Sequence, residues 1–422
     1  MPVCTTPQHA ESISASSAAL ITQAEVLVGA TYLLARWACD VPEVEVKLAL
    51  ATDVHWTARS VELLRSRLGE LGTEFAHARP DELPATAAFV ALHELEDTAQ
   101  RAYGWWAVVK PELVAGLRAL RAMVDAVADG PTAVTLDDVL VALQRVTWDD
   151  AFDALGNAGV ATDEEHLARK WARSHRQAVD AVLAIAEPVE PGRDGRFNVV
   201  ESAPPPPVGA IEQNGQYLHA LLMSIEVPTL EHCGRLILQG AGDLPWAFVL
   251  DMARQSWDEA RHAALCLNRM HELGVLPGDL PIDTQLWRMT SGLSLVMRLA
   301  AHQKVGEWLG VDGAIYNGDV VRAAGDQETA HLFDFIVQDE LSHVAFGNQW
   351  IKWILGSDDA VAGVTEEVLA HRAAFGATVN GGPGLPFNEW ACERAGMTAR
   401  DVSQLVSARL GGSAPAVSNR TD

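Results

Sequence analysis

Apolar residues recur at three- and four-residue intervals over most of the chain, whereas strictly alternating runs are scarce. In the first half this periodicity predicts amphipathic helices over 44–71, 84–103, 111–128, 136–157 and 163–187, most of them bounded by Pro or Gly. The stretch EPVEPGRDGRFNVVESAPPPPVGA (187–210) breaks the pattern, and its four-proline run predicts a stiff, exposed linker. Four longer helical patterns follow. They cover 211–239, 243–274 (Asp243 as N-cap, Pro245 in the first turn), 285–309 and 318–355, the last with Gly325 as an internal break. The expectation is an all-α protein. A helical domain fills 1–186, a linker 187–210, and a four-helix bundle with a C-terminal helical extension 211–410, with a disordered tail over 411–422.

Composition narrows the class. Of 422 residues, 49% are hydrophobic and 21% charged, the balance of a globular chain with more than one sizeable core. No uncharged apolar run reaches about 18 residues, so no membrane span is expected. The start, MPVCTTPQHAESISASS, has no basic region leading into an apolar run, so no secretory signal is expected. Cys4, Cys39, Cys233, Cys266 and Cys392 are scattered without a C-x-x-C pair, which fits a reducing, cytoplasmic setting. A formal charge of −25, with no Lys/Arg-rich run, speaks against a nucleic-acid partner.

The candidate chemistry lies in two short stretches, WDEARH (257–262) and QDELSH (338–343). On a helix, residues i and i+3 project from one face, so Glu259 with His262, and Glu340 with His343, each converge on one point. Glu-x-x-His alone carries little weight, because Glu74/His77 and Glu328/His331 share it. Position 33 residues upstream separates them: Glu226 precedes Glu259 and Glu307 precedes Glu340, whereas the same offset gives Val41 and Leu295 for the other two. The repeat Glu-x32-Glu-x-x-His, one copy per helical hairpin, supplies four carboxylates and two imidazoles, a set that can hold two iron or manganese ions. Asp258 and Asp339, one turn before the two histidines, are placed to accept a free ring N–H, from the histidine of their own helix or of the opposite one.

On these residues the 211–353 region resembles the ferritin-like di-metal carboxylate superfamily. WDEARHAALCLNRMHELGV and AAGDQETAHLFDFIVQDELSHVAFGNQWI are similar to a bacterial ferritin-like family of largely unassigned function, related to tRNA-modifying di-iron hydroxylases, and PFNEWACERAGM (386–397) is similar to that family's end. Over the N-terminal half the resemblance is faint and confined to 44–71 and 84–118. It implies metal ligation by Glu226, Glu259, His262, Glu307, Glu340 and His343. The implied activity is that of a non-haem di-iron oxygenase or oxidase acting on a small organic substrate by hydroxylation, N-oxygenation, desaturation or oxidative cleavage. O2 would be co-substrate, a mixed Fe/Mn pair stays open, and electrons would come from an external donor such as a reductase. A tRNA hydroxylase and a non-catalytic ferroxidase are the alternatives, and a homodimer is left open.

Pro228 departs from the pattern: a proline two residues after Glu226 must kink the helix or start it. If the helix starts there, Glu231 becomes the rival ligand. His219 shares the face of Glu226 only on an unbroken helix. Trp308 and Cys266 read as core residues near the site, and His331 as a surface or supporting residue. Two N-terminal groupings, Glu45/Asp53/His55 and His93/Glu94/Glu96, could hold a further metal but lack any repeat.

Overall fold

The structure, a computed structural model, describes residues 13–409 apart from 81, 86, 96, 178–180, 184 and 378–384. Glu96 and the predicted tail 411–422 lie outside the described residues. Helices dominate. The strands among the described residues form two two-stranded ribbons, Leu83–Ala85 antiparallel to Ala181–Leu183 and Asn198–Val199 parallel to Pro281–Ile282.

The chain divides into two compact units, Met1–Asp194 with Cys233–Ala260, and Gly195–His232 with Arg261–Asp422. The first break falls inside the expected 187–210 linker. Residues 233–260, however, belong with the N-terminal unit rather than with the rest of 211–410.

In the first unit, Ile13–Asp40 and Val44–Glu70 form a helical hairpin over a three-residue connection. The periodicity marks helices only from residue 44 onward, and Ile13–Asp40 is helical without that mark. That helix is long and apolar enough, by length and composition, to cross a bilayer, yet Leu20, Leu27, Leu33, Leu34 and Trp37 are all core residues. A helix buried on several sides lacks the single apolar stripe that periodicity detects. Residues 233–260 join it through close contact. A Cβ on Gly234 would sit 2.7 Å from the Ala35 carbonyl, and the Trp246 indole N–H donates to Ala58 O at 3.1 Å.

Among the described residues, Glu45, Asp53 and His55 do not come together as a metal-ligating group, and the His93/Glu94/Glu96 grouping includes Glu96, which lies outside them. Asp53 instead accepts from Trp105 Nε1 (2.7 Å), Trp106 Nε1 (2.9 Å) and Lys110 Nζ (2.5 Å), and His55 stacks on Trp257 at 4.7 Å. The segment expected as one helix over 84–103 is split into Ala87–His93 and Thr98–Ala102, followed by a π-helical Tyr103–Val109. Likewise 136–157 becomes Gly130–Leu143 and Trp148–Asn157, the second started by a Thr147/Asp150 capping box.

In the second unit the break at Gly325 is complete. Its φ of +93° ends Gly306–Ala323, and Asp326 caps Gln327–Leu355 by accepting from Thr329 N. Burial by itself would raise the Asp326 carboxyl pKa, but hydrogen bonds from Thr329 and Asn214 and the Arg269 charge hold it below the usual range. The expected 285–309 helix is correspondingly two short helices, Gln285–Thr290 and Leu295–Leu299, the latter running through a π turn at Ala300–Lys304 into Gly306–Ala323. Glu307 therefore starts a helix instead of ending one. The proline-rich stretch is exposed over much of its length, but Ala203 N donates to Asp283 and fixes it to its own unit.

Candidate metal centre

Four helical elements bring the six ligand candidates together: the π turn Leu222–Glu226 (Glu226), Trp246–Glu272 (Glu259, His262), Gly306–Ala323 (Glu307) and Gln327–Leu355 (Glu340, His343). Glu259 lies one turn before His262 on a single uninterrupted helix, so the helix itself sets their spacing. Two overlapping groups result. Glu226, Glu259, His262 and Glu340 form one, Glu259, Glu307, Glu340 and His343 the other, with the ligand atoms of each within 4.8 Å of one another. Glu259 and Glu340 are common to both. All six side chains are buried.

Electrostatics tests the fit. Two like charges 4 Å apart repel by about 4 kcal/mol at an effective dielectric of about 20, and four buried carboxylates multiply that cost. Two divalent cations would cancel four carboxylate charges and leave both imidazoles neutral, the form in which they ligate. Oxygen-rich donors with two imidazoles suit iron or manganese. The residues fit the group.

The π turns explain how Glu226 is delivered despite Pro228. Val227 N donates to Leu222 O, five residues back, and the widened turn relieves the clash a proline ring makes with the preceding turn. The helix then continues as Val227–Gly240, so it neither starts nor ends at Pro228. Glu231 is also buried but belongs to neither group. The extra residue in the turn shifts the register by about 100°. His219 accordingly faces Phe197 (5.4 Å), where burial lowers its pKa, instead of sharing the Glu226 face.

His262 turns Nδ1 toward Glu226 Oε2 (3.3 Å) and Glu340 Oε1 (3.9 Å), while Nε2 lies 3.2 Å from Asp339 Oδ2. Asp339 thus serves the histidine of the other helix, and Arg261 Nη2 donates to the same oxygen at 2.7 Å. With Nε2–H donated to Asp339, Nδ1 is left with its lone pair facing the carboxylates, as a ligand must be. Asp258 is buried and accepts from Arg254 Nε at 2.8 Å. Asp339→Ala is expected to weaken metal binding about 10- to 100-fold in chelator competition, with Asp339→Asn in between because its amide oxygen still accepts. Unchanged affinity in the alanine variant would remove Asp339 from the centre.

Sequence spacing missed His302. Its Nε2 is 3.1 Å from Glu307 Oε1 and 3.0 Å from Thr229 Oγ1, and its ring packs edge-on to His232 at 4.5 Å. Residues five apart point about 140° away from each other on an α-helix, so His302 and Glu307 do not look paired. The π turn Ala300–Lys304 brings them into line, and Gly306 leaves room: a Cβ there would lie 2.8 Å from His302 Nδ1. A proximal signal did exist in the chain, a His just before a ligand Glu, but no helical template scores it.

A cavity of about 380 Å³ opens on Glu226, Glu307 and Glu340. Its walls are mostly apolar, including Leu221, Ile225, Leu286, Met289, Leu309, Phe333 and Ile336, with Ala203 and Pro205 contributed by the proline-rich stretch. Tyr217 also lines it. Burial, Cys266 and Glu226 raise the phenol pKa, and Asn317 Nδ2 donates to its oxygen at 2.6 Å. Cys266 is fully buried, with its thiol pKa raised by burial and by Glu226, so it stays neutral. Trp308 is a core residue against Phe387 (5.4 Å), and His331 is exposed.

A family model described as "Protein of unknown function (DUF455)" matches residues 159–403, more than half of the chain. The chain belongs to that family. The DUF455 match takes in all six ligand candidates, His302 and the proline-rich stretch, so the family extends upstream of the 187–210 segment. The chain is also 29% identical over 106 residues to a protein of Haemophilus influenzae named only as uncharacterized. That alignment covers 25% of this chain and 37% of the relative, so the chain spans little more than a third of the relative's length. No solved structure matches.

Proposed function

We propose that the protein is a ferritin-like, non-haem di-metal oxidoreductase, with iron the first expectation, that uses O2 to oxidise a small organic molecule. The observation carrying this is the apolar cavity that opens directly on three carboxylates of the six-residue cluster. A storage or purely structural centre has no need of such a chamber, while a substrate oxidised beside the metals does. The four ligand-bearing helical elements fit a ferritin-like bundle, in which each of two helices gives Glu-x-x-His and each of the others a Glu.

A di-iron pair bound by such ligands supplies O2 activation at the expense of external electrons. The chain's own residues do the rest. Glu259 and Glu340, common to both groups, would help to hold both metals. Glu226 and Glu307 each belong to one group and face the cavity, so both ends of the centre meet the same substrate space. Asp339 keeps the His262 proton on Nε2. The His302 imidazole lies beside Glu307 Oε1, where it limits the swing of that carboxylate. Tyr217 keeps its proton and presents a neutral hydroxyl to the cavity. Apolar walls exclude water and favour an apolar substrate body.

The test is anaerobic loading with Fe(II), metal analysis, then exposure to O2 with a chemical reductant while O2 uptake is followed. About two metals per chain and uptake that disappears in Glu307→Ala are expected. Fewer than about one metal per chain, or uptake indifferent to Glu307→Ala, would overturn the proposal.

A further inference from the structure

Arg372, on the helix Asp358–Ala374, lines the same cavity and is itself buried, with 8% of its surface exposed. Its Nη1 donates to Ala301 O at 2.8 Å, but Nε has no hydrogen-bond partner among the described residues. Among those residues no carboxylate lies within ion-pair distance of its guanidinium. The stretch 378–384, TVNGGPG, carries no acidic residue. Asp283, the other carboxylate in the lining, is engaged by the backbone N–H groups of Ala203 and Gln285, both at 2.9 Å. Burial without a counter-charge pulls the guanidinium pKa down to about 10. A buried, unmatched cation is unfavourable unless something of opposite charge meets it.

We infer that the cavity takes amphipathic organic acids, with Arg372 receiving the substrate carboxylate and the apolar walls holding its hydrocarbon body. This rests on the di-metal reading, since two divalent ions would cancel the four ligand carboxylates, while Asp283 is held by backbone N–H groups and does not pair with Arg372. A single anionic head would give the guanidinium the partner it lacks. A guanidinium presents a planar fork of N–H donors that a carboxylate fits with both oxygens. A doubly charged phosphate would bring a second negative charge beside Glu226, Asp283, Glu307 and Glu340. The substrate is accordingly a singly charged acid.

The probes are octanoate, octan-1-ol and octyl phosphate, each titrated into the full-length, metal-analysed protein by calorimetry. Octanoate is expected to bind at least about tenfold more tightly than octan-1-ol. Arg372→Gln is expected to bring that ratio to about one. A second variant guards against loss of folding: Gly313 lines the cavity, and a Cβ there meets nothing within 4 Å. Gly313→Leu is expected to fold normally and to weaken octanoate and octan-1-ol alike. Equal binding of octanoate and octan-1-ol by the wild type, or octyl phosphate binding as tightly as octanoate, would overturn the inference. So would octanoate binding that Gly313→Leu leaves intact in a folded protein. Metal analysis of the same samples separates the two ideas. Absent metal with a retained acid preference defeats the di-metal reading, and bound metal without the preference defeats the acid assignment.

Discussion

Glu340→Ala and Glu259→Ala are each expected to abolish binding of both metal ions, whereas Glu226→Ala and Glu307→Ala each leave about one. The asymmetry follows from membership: Glu259 and Glu340 belong to both four-residue groups, Glu226 only to the one with His262, and Glu307 only to the one with His343. Metal analysis after Fe(II) loading and desalting reads the result directly. Thermal unfolding adds a sign. In the metal-free protein each substitution removes one member of a repelling cluster, so stability should rise or hold. With metal added, the wild type gains by mass action and the Glu340→Ala protein does not. A Glu340→Ala protein that still retained about two metals, or a Glu226→Ala protein that retained none, would break the shared-ligand arrangement.

Asp53→Ala is expected to cost about 3–5 kcal/mol of folding stability, a large part of the total for an ordinary domain. Asp53 is fully buried and is the acceptor for two indole N–H groups and the buried Lys110 ammonium. Alanine removes all three acceptor contacts at once. Lys110 keeps Val146 O at 2.8 Å, but a carbonyl does not neutralise a charge. The double substitution Asp53→Ala/Lys110→Met should be less damaging than Asp53→Ala alone, because it deletes the stranded cation. Guanidinium unfolding curves decide this. If the double variant is as unstable as the sum of the singles, the ion pair is not what the site depends on.

Both expectations concern buried charge, yet they were not equally visible in the chain. The ligand set could be found because a helix converts spacing into direction: Glu259 and His262, or Glu340 and His343, face one way whatever surrounds them. The 33-residue offset repeated because each hairpin has arms of similar length. Asp53 offered no comparable signal. Its donors lie 52 to 57 residues away, and two of them sit on a π-helical segment that no 3.6-residue template anticipates.

The same limit hid His302, paired with Glu307 through a π turn, and hid why Pro228 does not displace Glu226. It also left open which histidine Asp339 serves, since that depends on which helix lies opposite.

The sequence by itself determined that the protein is helical and picked out six residues as a candidate ligand set, because helical periodicity and i, i+3 convergence are local properties. The tertiary structure decided what faces that chemistry. The union of two ligand groups through Glu259 and Glu340, the apolar chamber upon them, and Arg372 brought to its wall from a later helix all depend on contacts between residues distant in the chain. No spacing rule encodes such contacts, because packing, and not helical geometry, selects them.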